Sequence, residues 1–338
     1  MGHRGASDRP GMWLDQNEDS GSGRFFRSQP VRLISRNSGF SAPMKSLADL
    51  SPPGCQAHLV IRWRLTFVLG LVAGLLGTMG CRSIPADLSP RLPAKQLFNG
   101  RDLSGFYTWL VDTRYDDPRQ VFAVSNGMLR VSGDGLGYLA TREIFADFTL
   151  TVEFRWGNLN THWGNRIGKA RDAGIFLHAT GPDGNSHDGG GAFMAAIECN
   201  MFEGATGDLL LIRGDDELGK LIAPRVTVAV GPDRDSDGWP WWAPDGTTVT
   251  LERWGRVNWR HKDAVWTDRR GFRGARDVEH PSGEWNRLVI TCLKDVIEVR
   301  LNGVLVNRAT QVWPRHGRIL LQCEGSEYFV RRMVLQPF

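Results

Sequence analysis

Short segments in which apolar and polar residues alternate dominate the chain after residue 95 and predict β-strands. The segment FTLTVEFRWG, residues 148–157, places its apolar residues on one face and its polar residues on the other. The segment FAVSNGMLRVSG, residues 122–133, predicts a hairpin with Asn126-Gly127 at its turn, because this dipeptide tolerates positive φ. Gly, Asp and Asn residues separate these segments. The pattern favours an all-β fold, an antiparallel sandwich.

Two of the predicted strands carry polar pairs on one face. In AAIECN, residues 195–200, Glu198 and Asn200 alternate with apolar residues, and in ILLQCEG the residues Gln322 and Glu324 do the same. A carboxylate in the middle of a strand needs solvent or partners, because loss of water around an unpaired charge is costly. His178 ends a further strand, GIFLH. These side chains are the first candidates for a functional site.

The residues before 95 have a different character. Residues 1–60 are rich in Ser, Gly, Arg and Pro and lack periodicity, so we expect them to be disordered. Residues 61–81 resemble a lipoprotein signal segment, in which an uncharged apolar run ends at Cys81, the predicted lipidation site. An ordinary membrane anchor is the alternative, and translation starting at Met44 would shorten the leader. Either interpretation predicts an exported protein of the periplasm or cell envelope, joined to its membrane through the linker 82–94.

The charge distribution argues against a nucleic-acid partner. The sequence has a pI of about 8.9, but residues 1–80 hold nine Lys/Arg and five Asp/Glu, and the formal net charge from Cys81 onward is zero. A nucleic-acid-binding domain would show a basic patch there. The later cysteines, Cys199, Cys292 and Cys323, lack zinc-site spacing and are expected to be small buried residues. A disulfide between Cys292 and Cys323 is the alternative.

Several segments, taken in order, resemble the bacterial 3-keto-disaccharide hydrolase family. They are QLFNGRDLSGF, GYLATREIFADFTLTVEFRW, DAGIFLHATGPDG, AAIECNMFEGATGD, EHPSGEWNRLVI, VRLNG and ILLQCEGSEYFVRRMVL. The resemblance covers residues 95–338 and is weakest at about 207–275, which we interpret as a loop-rich insertion. The sequence departs from the family pattern at Asp172, Ala173 and Asn200. The resemblance implies a concanavalin-like jelly-roll sandwich of two antiparallel sheets that carries sugar chemistry on a concave face.

A 3-keto sugar offers an elimination route to cleavage. The ketone acidifies the C2 hydrogen, so a general base removes it, the C1 substituent leaves, and water adds to the resulting enone. We expect Glu198 to be the base, with Glu324 or His178 as the acid or as a metal ligand. Asn200 and Gln322 would then bind sugar hydroxyls. For His178, the alternative is a hydrogen-bonded histidine at a strand end.

Arginine and tryptophan residues extend the set of candidates. Arg331 alternates with apolar residues and is expected to point inward as a paired charge near the substrate. Trp239, Trp241 and Trp242 crowd one loop, where they would stack on sugar rings or form a small local core. Glu153 is expected to form a cross-strand ion pair with an arginine.

The motif DRDSDG spaces Asp233, Asp235 and Asp237 as in a calcium-binding loop. Pro244 stands at loop position twelve, where such loops carry a glutamate, so a plain acidic turn is the alternative. No cofactor is otherwise predicted, apart from a divalent metal, calcium or catalytic, at one of these sites.

The leading hypothesis is therefore an exported enzyme that cleaves 3-keto-glycosides, with a carbohydrate substrate and a lipid anchor. A non-catalytic carbohydrate-binding module of the cell envelope is the main rival, because sandwich folds carry binding modules as well as hydrolases. A structural envelope protein with a degenerate site is a third hypothesis.

Overall fold

The computed structural model describes residues 92–338. The predicted disordered extension 1–60, the signal segment 61–81 with Cys81, and most of the linker 82–94 lie outside the described residues. Residues 92–338 contain no helix that is both long enough and apolar enough to span a membrane. Their helical structure consists of two 3₁₀ turns, Trp163–Asn165 and Asp188–Gly191, and the rest is strands and loops.

Twenty strands, numbered β1 to β20 in chain order, form two large antiparallel sheets and one small pair. Sheet A contains β1 (Lys95–Gln96), β3 (Phe122–Ser125), β4 (Met128–Val131), β6 (Phe148–Asn160), β12 (Arg225–Arg234), β13 (Pro240–Trp242), β14 (Thr247–Glu252), β16 (Asn286–Leu293), β17 (Val296–Leu301), β18 (Val304–Trp313) and β20 (Ser326–Pro337). Sheet B contains β2 (Phe106–Leu110), β5 (Leu136–Thr141), β7 (Gly174–Thr180), β8 (Ala195–Asn200), β9 (Leu209–Ile212), β15 (Gly255–Val257) and β19 (Arg318–Glu324). The pair is β10 (Gly214–Asp215) and β11 (Leu221–Ile222).

The main core lies between the two sheets and follows from the alternation in the sequence. On β6, the residues Leu150, Val152 and Phe154 are fully buried against the apolar face of sheet B, while the polar residues between them are partly exposed. Ile197 on β8 and Leu321 on β19 belong to the same core cluster. This arrangement confirms the predicted all-β jelly-roll sandwich of two antiparallel sheets.

The strand order of sheet B is β15-β9-β8-β7-β19-β5-β2. Ile197 and Leu321 project toward sheet A. Because successive side chains of a strand point to opposite faces, their neighbours Glu198 and Gln322 project away from sheet A. We call the surface that carries Glu198 and Gln322 the outer face of sheet B. It positions the candidate site.

The interval 207–275 is more regular than the sequence suggests, and its interpretation as a loop-rich insertion is wrong for residues 207–257. It contains seven strands, β9 to β15, of which β9 and β15 extend sheet B and β12, β13 and β14 extend sheet A. The strands were hard to recognise because several have only two or three residues and are joined by long turns. The strands between residues 209 and 257 therefore belong to the framework of the sandwich, whereas residues 258–275 form a loop.

Two smaller predictions from the sequence are confirmed. Asn126 and Gly127 join β3 to β4 with φ values of 51° and 74°, as a two-residue hairpin turn requires. Cys199, Cys292 and Cys323 are free and buried, so the alternative disulfide is not formed.

Candidate functional site

Glu198 lies on the outer face of sheet B with the other predicted polar pair nearby. On β7, the strand next to β8, Phe176 pairs with Glu198 and Gly174 pairs with Asn200. On the far side of β7, Leu321 of β19 pairs with Ile175, so Gln322 comes level with Gly174. The structure thus brings Glu198, Asn200 and Gln322 together around Gly174, as the sequence predicted.

Gly174 leaves the space that these side chains use. A Cβ atom at this position would lie 2.3 Å from Glu198 Oε1 and 2.9 Å from Gln322 Oε1, closer than such contacts allow. The missing side chain lets the Glu198 carboxyl and the Gln322 amide converge over the strand. The glycine is therefore part of the construction of the site.

Two amide oxygens at this point have no partner within residues 92–338. They are Asn200 Oδ1 and Gln322 Oε1, and the two residues are only 4% and 2% exposed. The other end of the Gln322 amide is engaged, because Nε2 donates to Glu324 Oε2 at 2.7 Å. A buried acceptor without a donor is unfavourable, so both oxygens favour a ligand rich in hydroxyl or amide donors.

Three carboxyl groups, Asp172, Glu198 and Glu324, form what we call the carboxylate trio. Burial raises the pKa of Glu198 well above its ordinary value, and the negative charges of Asp172 and Glu324 raise it further. Burial and Asp172 likewise raise the pKa of Glu324. Burial raises the pKa of Asp172 to about 7, although Arg166 and Arg256 oppose this shift. Such a group holds protons at neutral pH, which suits general acid and base chemistry.

Two arginines border the carboxylate trio. Arg256 Nε donates to Asp208 Oδ2 at 2.8 Å, and Asp208 is fully buried, so the guanidinium has a fixed position. Arg166 Nη1 lies 3.6 Å from Asp172 Oδ2 and 3.2 Å from Asp268 Oδ1. Both guanidinium groups also lie over the ring of Phe202, at 5.5 Å for Arg166 and 5.8 Å for Arg256. They give the site positive charge beside its carboxyl groups.

Asp172, Arg166 and Arg256 were missed as site residues by the sequence reasoning. Asp172 stands out in the sequence only as a departure from the family pattern, Arg166 lies in the irregular connection after β6, and Arg256 lies in β15, which at three residues is too short to show alternation. In the structure, the pairing of β7 with β19 extended by two residues from Gly174 and Gln322 places Asp172 level with Glu324, and this register is not readable from the sequence. No pattern in the sequence indicates the two arginines.

The opposite half of the outer face is closed by the connection between β7 and β8, residues 181–194. Phe193 and Met194 of this connection pack on Trp109, Tyr138 and Phe176 of sheet B in a second apolar cluster. Asp183 fixes the connection, because the hydroxyl groups of Tyr107, Tyr138 and Tyr115 donate to its carboxylate at 2.6, 2.7 and 2.9 Å. The polar part of the face is therefore confined to the end that carries the carboxylate trio.

His178 is not part of this site, and its prediction as a catalytic acid or metal ligand is wrong. It is 1% exposed, its Nδ1 lies 2.8 Å from the carbonyl oxygen of Pro314, and its ring packs edge-on against Phe148 of sheet A. Its φ of 55° lies where the register of β7 and β8 shifts, which turns the side chain inward. Burial lowers the pKa of His178 to about 4, so it is a neutral core residue at physiological pH.

Arg331 also lies elsewhere, contrary to its prediction as an inward-pointing, substrate-binding residue. It is exposed on sheet A, where its Nε donates to Glu153 Oε2 at 2.7 Å and its guanidinium lies 4.4 Å from the ring of Trp285. The pairing of β20 with β6 shifts register between Val330 and Arg332, so the alternation around Arg331 is interrupted. The same contact confirms the predicted ion pair of Glu153.

The three loop tryptophans do not form one exposed platform for a sugar. Trp242 is 4% exposed and belongs to the core between the sheets, so its predicted sugar contact is wrong. Trp241 Nε1 donates to the carbonyl oxygen of Lys262 at 3.0 Å, and Trp239 packs against Trp254 with ring centroids 4.7 Å apart. These contacts match the alternative prediction of a small local core.

The DRDSDG segment forms a turn, and its prediction as a calcium-binding loop is corrected. Asp235 accepts from the amides of Asp237 and Trp239 at 3.1 and 2.8 Å, and Lys262 Nζ lies 3.3 Å from its Oδ2. Asp233 and Asp237 are exposed. Within residues 92–338, no three His, Cys, Asp or Glu side chains are grouped so that they could hold a metal ion.

Comparison with known proteins identifies a family over most of the described chain. The sequence profile of the 3-keto-alpha-glucoside-1,2-lyase-like domain matches residues 93–336. No curated protein sequence is similar enough to count as a match.

Three of the similar solved structures are enzymes or binding modules of carbohydrates by their descriptions. One, provisionally described as a glycosyl hydrolase of Parabacteroides distasonis, has 13% identity, a TM-score of 0.40, and coverage of 72% of this chain and 94% of its own. The carbohydrate-binding module CBM66 of Bacillus subtilis has 11% identity, a TM-score of 0.36, and coverage of 69% and 95%. A Bacillus licheniformis β-glucanase has 11% identity, a TM-score of 0.37, and coverage of 72% and 96%.

Proposed function

Because this chain belongs to the family of 3-keto-alpha-glucoside-1,2-lyase-like domains, we propose that it cleaves the glycosidic bond of 3-keto-glycosides such as 3-keto-disaccharides. The observation that carries the proposal is the carboxylate trio, with Glu198 buried and the other two carboxyl groups half-buried, beside the unpaired oxygens of Asn200 and Gln322. Sugar hydroxyl groups are donors that these oxygens lack. The apolar cluster over the other half of the outer face supports a short substrate over a polysaccharide chain.

The first step assigned to the site is removal of the C2 proton. The Glu198 carboxylate takes this proton, and its raised pKa makes it a stronger base than an ordinary glutamate. The C2–H electrons move toward the ketone at C3 and give an enolate. The Arg256 guanidinium, held by Asp208, is the nearby positive charge that would stabilise the enolate oxygen.

The second step expels the leaving group. The enolate electrons form the C1=C2 bond, the C1–O bond breaks, and the departing oxygen takes a proton from the protonated Glu324 carboxyl. Glu324 suits this role because burial and Asp172 raise its pKa, so it retains a proton that an ordinary glutamate would lose. Asn200 and Gln322 orient the sugar by accepting from its hydroxyl groups.

Addition of water closes the cycle. The Glu324 carboxylate takes a proton from water as the oxygen bonds to C1, and the protonated Glu198 returns its proton to C2. The products are a free 3-keto sugar and the released alcohol or sugar. Each carboxyl group regains its starting protonation state, so the sequence requires no further reagent.

We also propose that the protein is exported and anchored by a lipid at Cys81. The proposal depends on the uncharged apolar run Leu65 to Gly80, which follows Arg62 and Arg64 and ends directly before Cys81. Mass spectrometry of the membrane fraction tests it, because lipidation predicts an N-terminal peptide that begins at a modified Cys81. An unmodified peptide that spans residue 81 would refute it.

Turnover of 3-keto-disaccharides by the full chain tests the proposed activity. Wild-type protein should release the 3-keto sugar, and Glu198→Gln should abolish release while sugar binding persists. Glu153→Gln is the matched control, because this carboxylate forms its ion pair with Arg331 on sheet A. If the wild type is folded by circular dichroism and binds sugar without cleaving it, the protein is a carbohydrate-binding module and the proposal is wrong.

A further inference from the structure

A groove of about 720 Å³ lies at one end of sheet A, away from the carboxylate trio. It is lined by Arg225, Glu252, Asp295, Gln311, Trp313 and Arg315, from β12, β14, β18 and adjoining loops. We call it the Trp313 groove. A smaller hollow of about 300 Å³ adjoins it and adds Arg253 to the same surface. None of these residues contributes to the Glu198 site, which lies on the outer face of sheet B.

A β-bulge gives the groove its shape. In the pairing of β12 with β18, Arg225 faces Trp313 and Thr227 faces Thr310, so β18 contains one extra residue in this interval. Gln311 lies in the bulge with a φ of 51°, a left-handed conformation that is unfavourable for residues other than glycine. Its Oε1 accepts from Thr227 Oγ1 at 2.8 Å. Bulges redirect side chains, and strained residues of this kind are concentrated at binding sites.

Trp313 presents an aromatic surface in the groove. It is 45% exposed, although most tryptophans of the described chain are buried or half-buried. An exposed aromatic ring in a concave, mainly polar surface suits a ligand with an apolar face and many hydroxyl groups. A sugar ring has this combination, because its C–H groups form a flat apolar face and its hydroxyl groups lie around the edge.

The charges of the groove favour an acidic ligand. The guanidinium groups are those of Arg225, Arg253 and Arg315, and the carboxylates are those of Glu252 and Asp295. Only Arg225 has an ion-pair partner in residues 92–338, and that contact with Glu252 is long, at 3.9 Å. Guanidinium groups bind carboxylates through paired hydrogen bonds, so Arg253 and Arg315 remain able to bind a negative group.

We propose that the Trp313 groove is a second carbohydrate-binding site, separate from the Glu198 site, that takes an acidic saccharide such as a uronate oligosaccharide. The sugar ring stacks on Trp313, and its carboxylate pairs with the guanidinium groups of the groove. The site would hold the protein on acidic polysaccharide while the Glu198 site remains free for its own substrate.

Binding of two matched probes to the full chain tests this proposal. The probes are a galacturonate oligosaccharide and the neutral galactose oligosaccharide of the same length, measured by isothermal titration calorimetry. We expect the acidic probe to bind, and Trp313→Ala to weaken this binding by about tenfold or more, because the apolar contact with the ring is lost. Trp254→Ala is the matched control, since Trp254 is 48% exposed but does not line the groove.

Further variants separate the alternatives. Arg315→Gln should weaken the acidic probe and leave neutral binding unchanged, whereas Asn200→Ala at the Glu198 site should leave the acidic probe unaffected. Circular dichroism spectra check that each variant is folded. The proposal is wrong if the acidic probe does not bind, if the two probes bind equally, or if Trp313→Ala binds the acidic probe as the wild type does. If only Asn200→Ala loses binding of the acidic probe, the probe binds at the Glu198 site, and the proposal is wrong as well.

Discussion

Asp172→Asn should stabilise the folded protein at alkaline pH and change little at acidic pH. The pKa of this carboxyl is raised from an ordinary value of 3.8 to about 7, mainly by burial, so folding favours its protonated form. Below about pH 4 the group is protonated in both states and contributes no difference in stability. Between about pH 4 and pH 7 the unfolded chain has lost this proton while the folded protein still holds it, so the free energy of unfolding falls across this range, and above pH 7 the loss is complete.

The shift sets the size of the effect. A pKa change from 3.8 to about 7 corresponds to a loss of about 4 kcal/mol in the free energy of unfolding, at 1.36 kcal/mol per pKa unit. Part of this loss belongs to the interaction of Asp172 with Glu198 and Glu324, because the three carboxyl groups titrate together. We therefore expect Asp172→Asn to gain about 2–4 kcal/mol at pH 8. The side chain is 14% exposed, so solvent relieves only a small part of the penalty.

Urea unfolding of wild type and variant from pH 4 to pH 8 measures this difference. Asp268→Asn is the control, because it removes the closer carboxylate partner of Arg166 and a hydrogen bond from the Ala170 amide at 3.1 Å. It should destabilise the protein at pH 8, the opposite sign. A difference between wild type and Asp172→Asn that does not change with pH, or a destabilisation at pH 8, would refute the electrostatic account of the site.

Four further substitutions test the site and its borders. Gly174→Ala should reduce turnover by at least about tenfold while the protein stays folded, because the added Cβ displaces the Glu198 carboxyl. A normal rate of turnover would contradict the packing around Gly174. His178→Gln should retain normal turnover per folded molecule and lower the melting temperature, because the side chain is a hydrogen-bonded core residue. Loss of turnover with an unchanged melting temperature would support a catalytic role for His178. Tyr138→Phe should lower the free energy of unfolding by about 1–2 kcal/mol through the lost hydrogen bond to Asp183, and Tyr115→Phe, at an exposed position, should lower it less.

The sequence was sufficient to predict the sandwich and the grouping of the polar side chains at the candidate site, because both depend on alternation. Glu198, Asn200, Gln322 and Glu324 occupy strands whose polar residues share one face, and neighbouring strands of a sheet bring such faces together. The position of Gly174 between them follows from the register, which sequence alone does not give.

The errors occurred where alternation is interrupted or absent. His178 and Arg331 both lie at register shifts, where a bulge reverses the face that a simple count assigns. The guanidinium groups of Arg166, in an irregular connection, and Arg256, in the three-residue strand β15, reach the site without a sequence pattern that announces them, so their position depends on tertiary packing. Asp235 shows that the spacing of aspartates alone does not establish a calcium site, because its carboxylate is engaged by local backbone amides and by Lys262.

Deuterium incorporation at C2 tests the central claim of elimination at Glu198 most directly. The full chain would cleave a 3-keto-disaccharide in D₂O, and NMR would measure the deuterium content at C2 of the released 3-keto sugar. The control is the same 3-keto sugar incubated in D₂O without the protein for the same time. The account predicts deuterium at C2 well above that control, since the proton taken by Glu198 exchanges with solvent before one returns. Cleavage that leaves the original hydrogen at C2 would contradict the account, because it would show direct displacement at C1 without removal of the C2 proton.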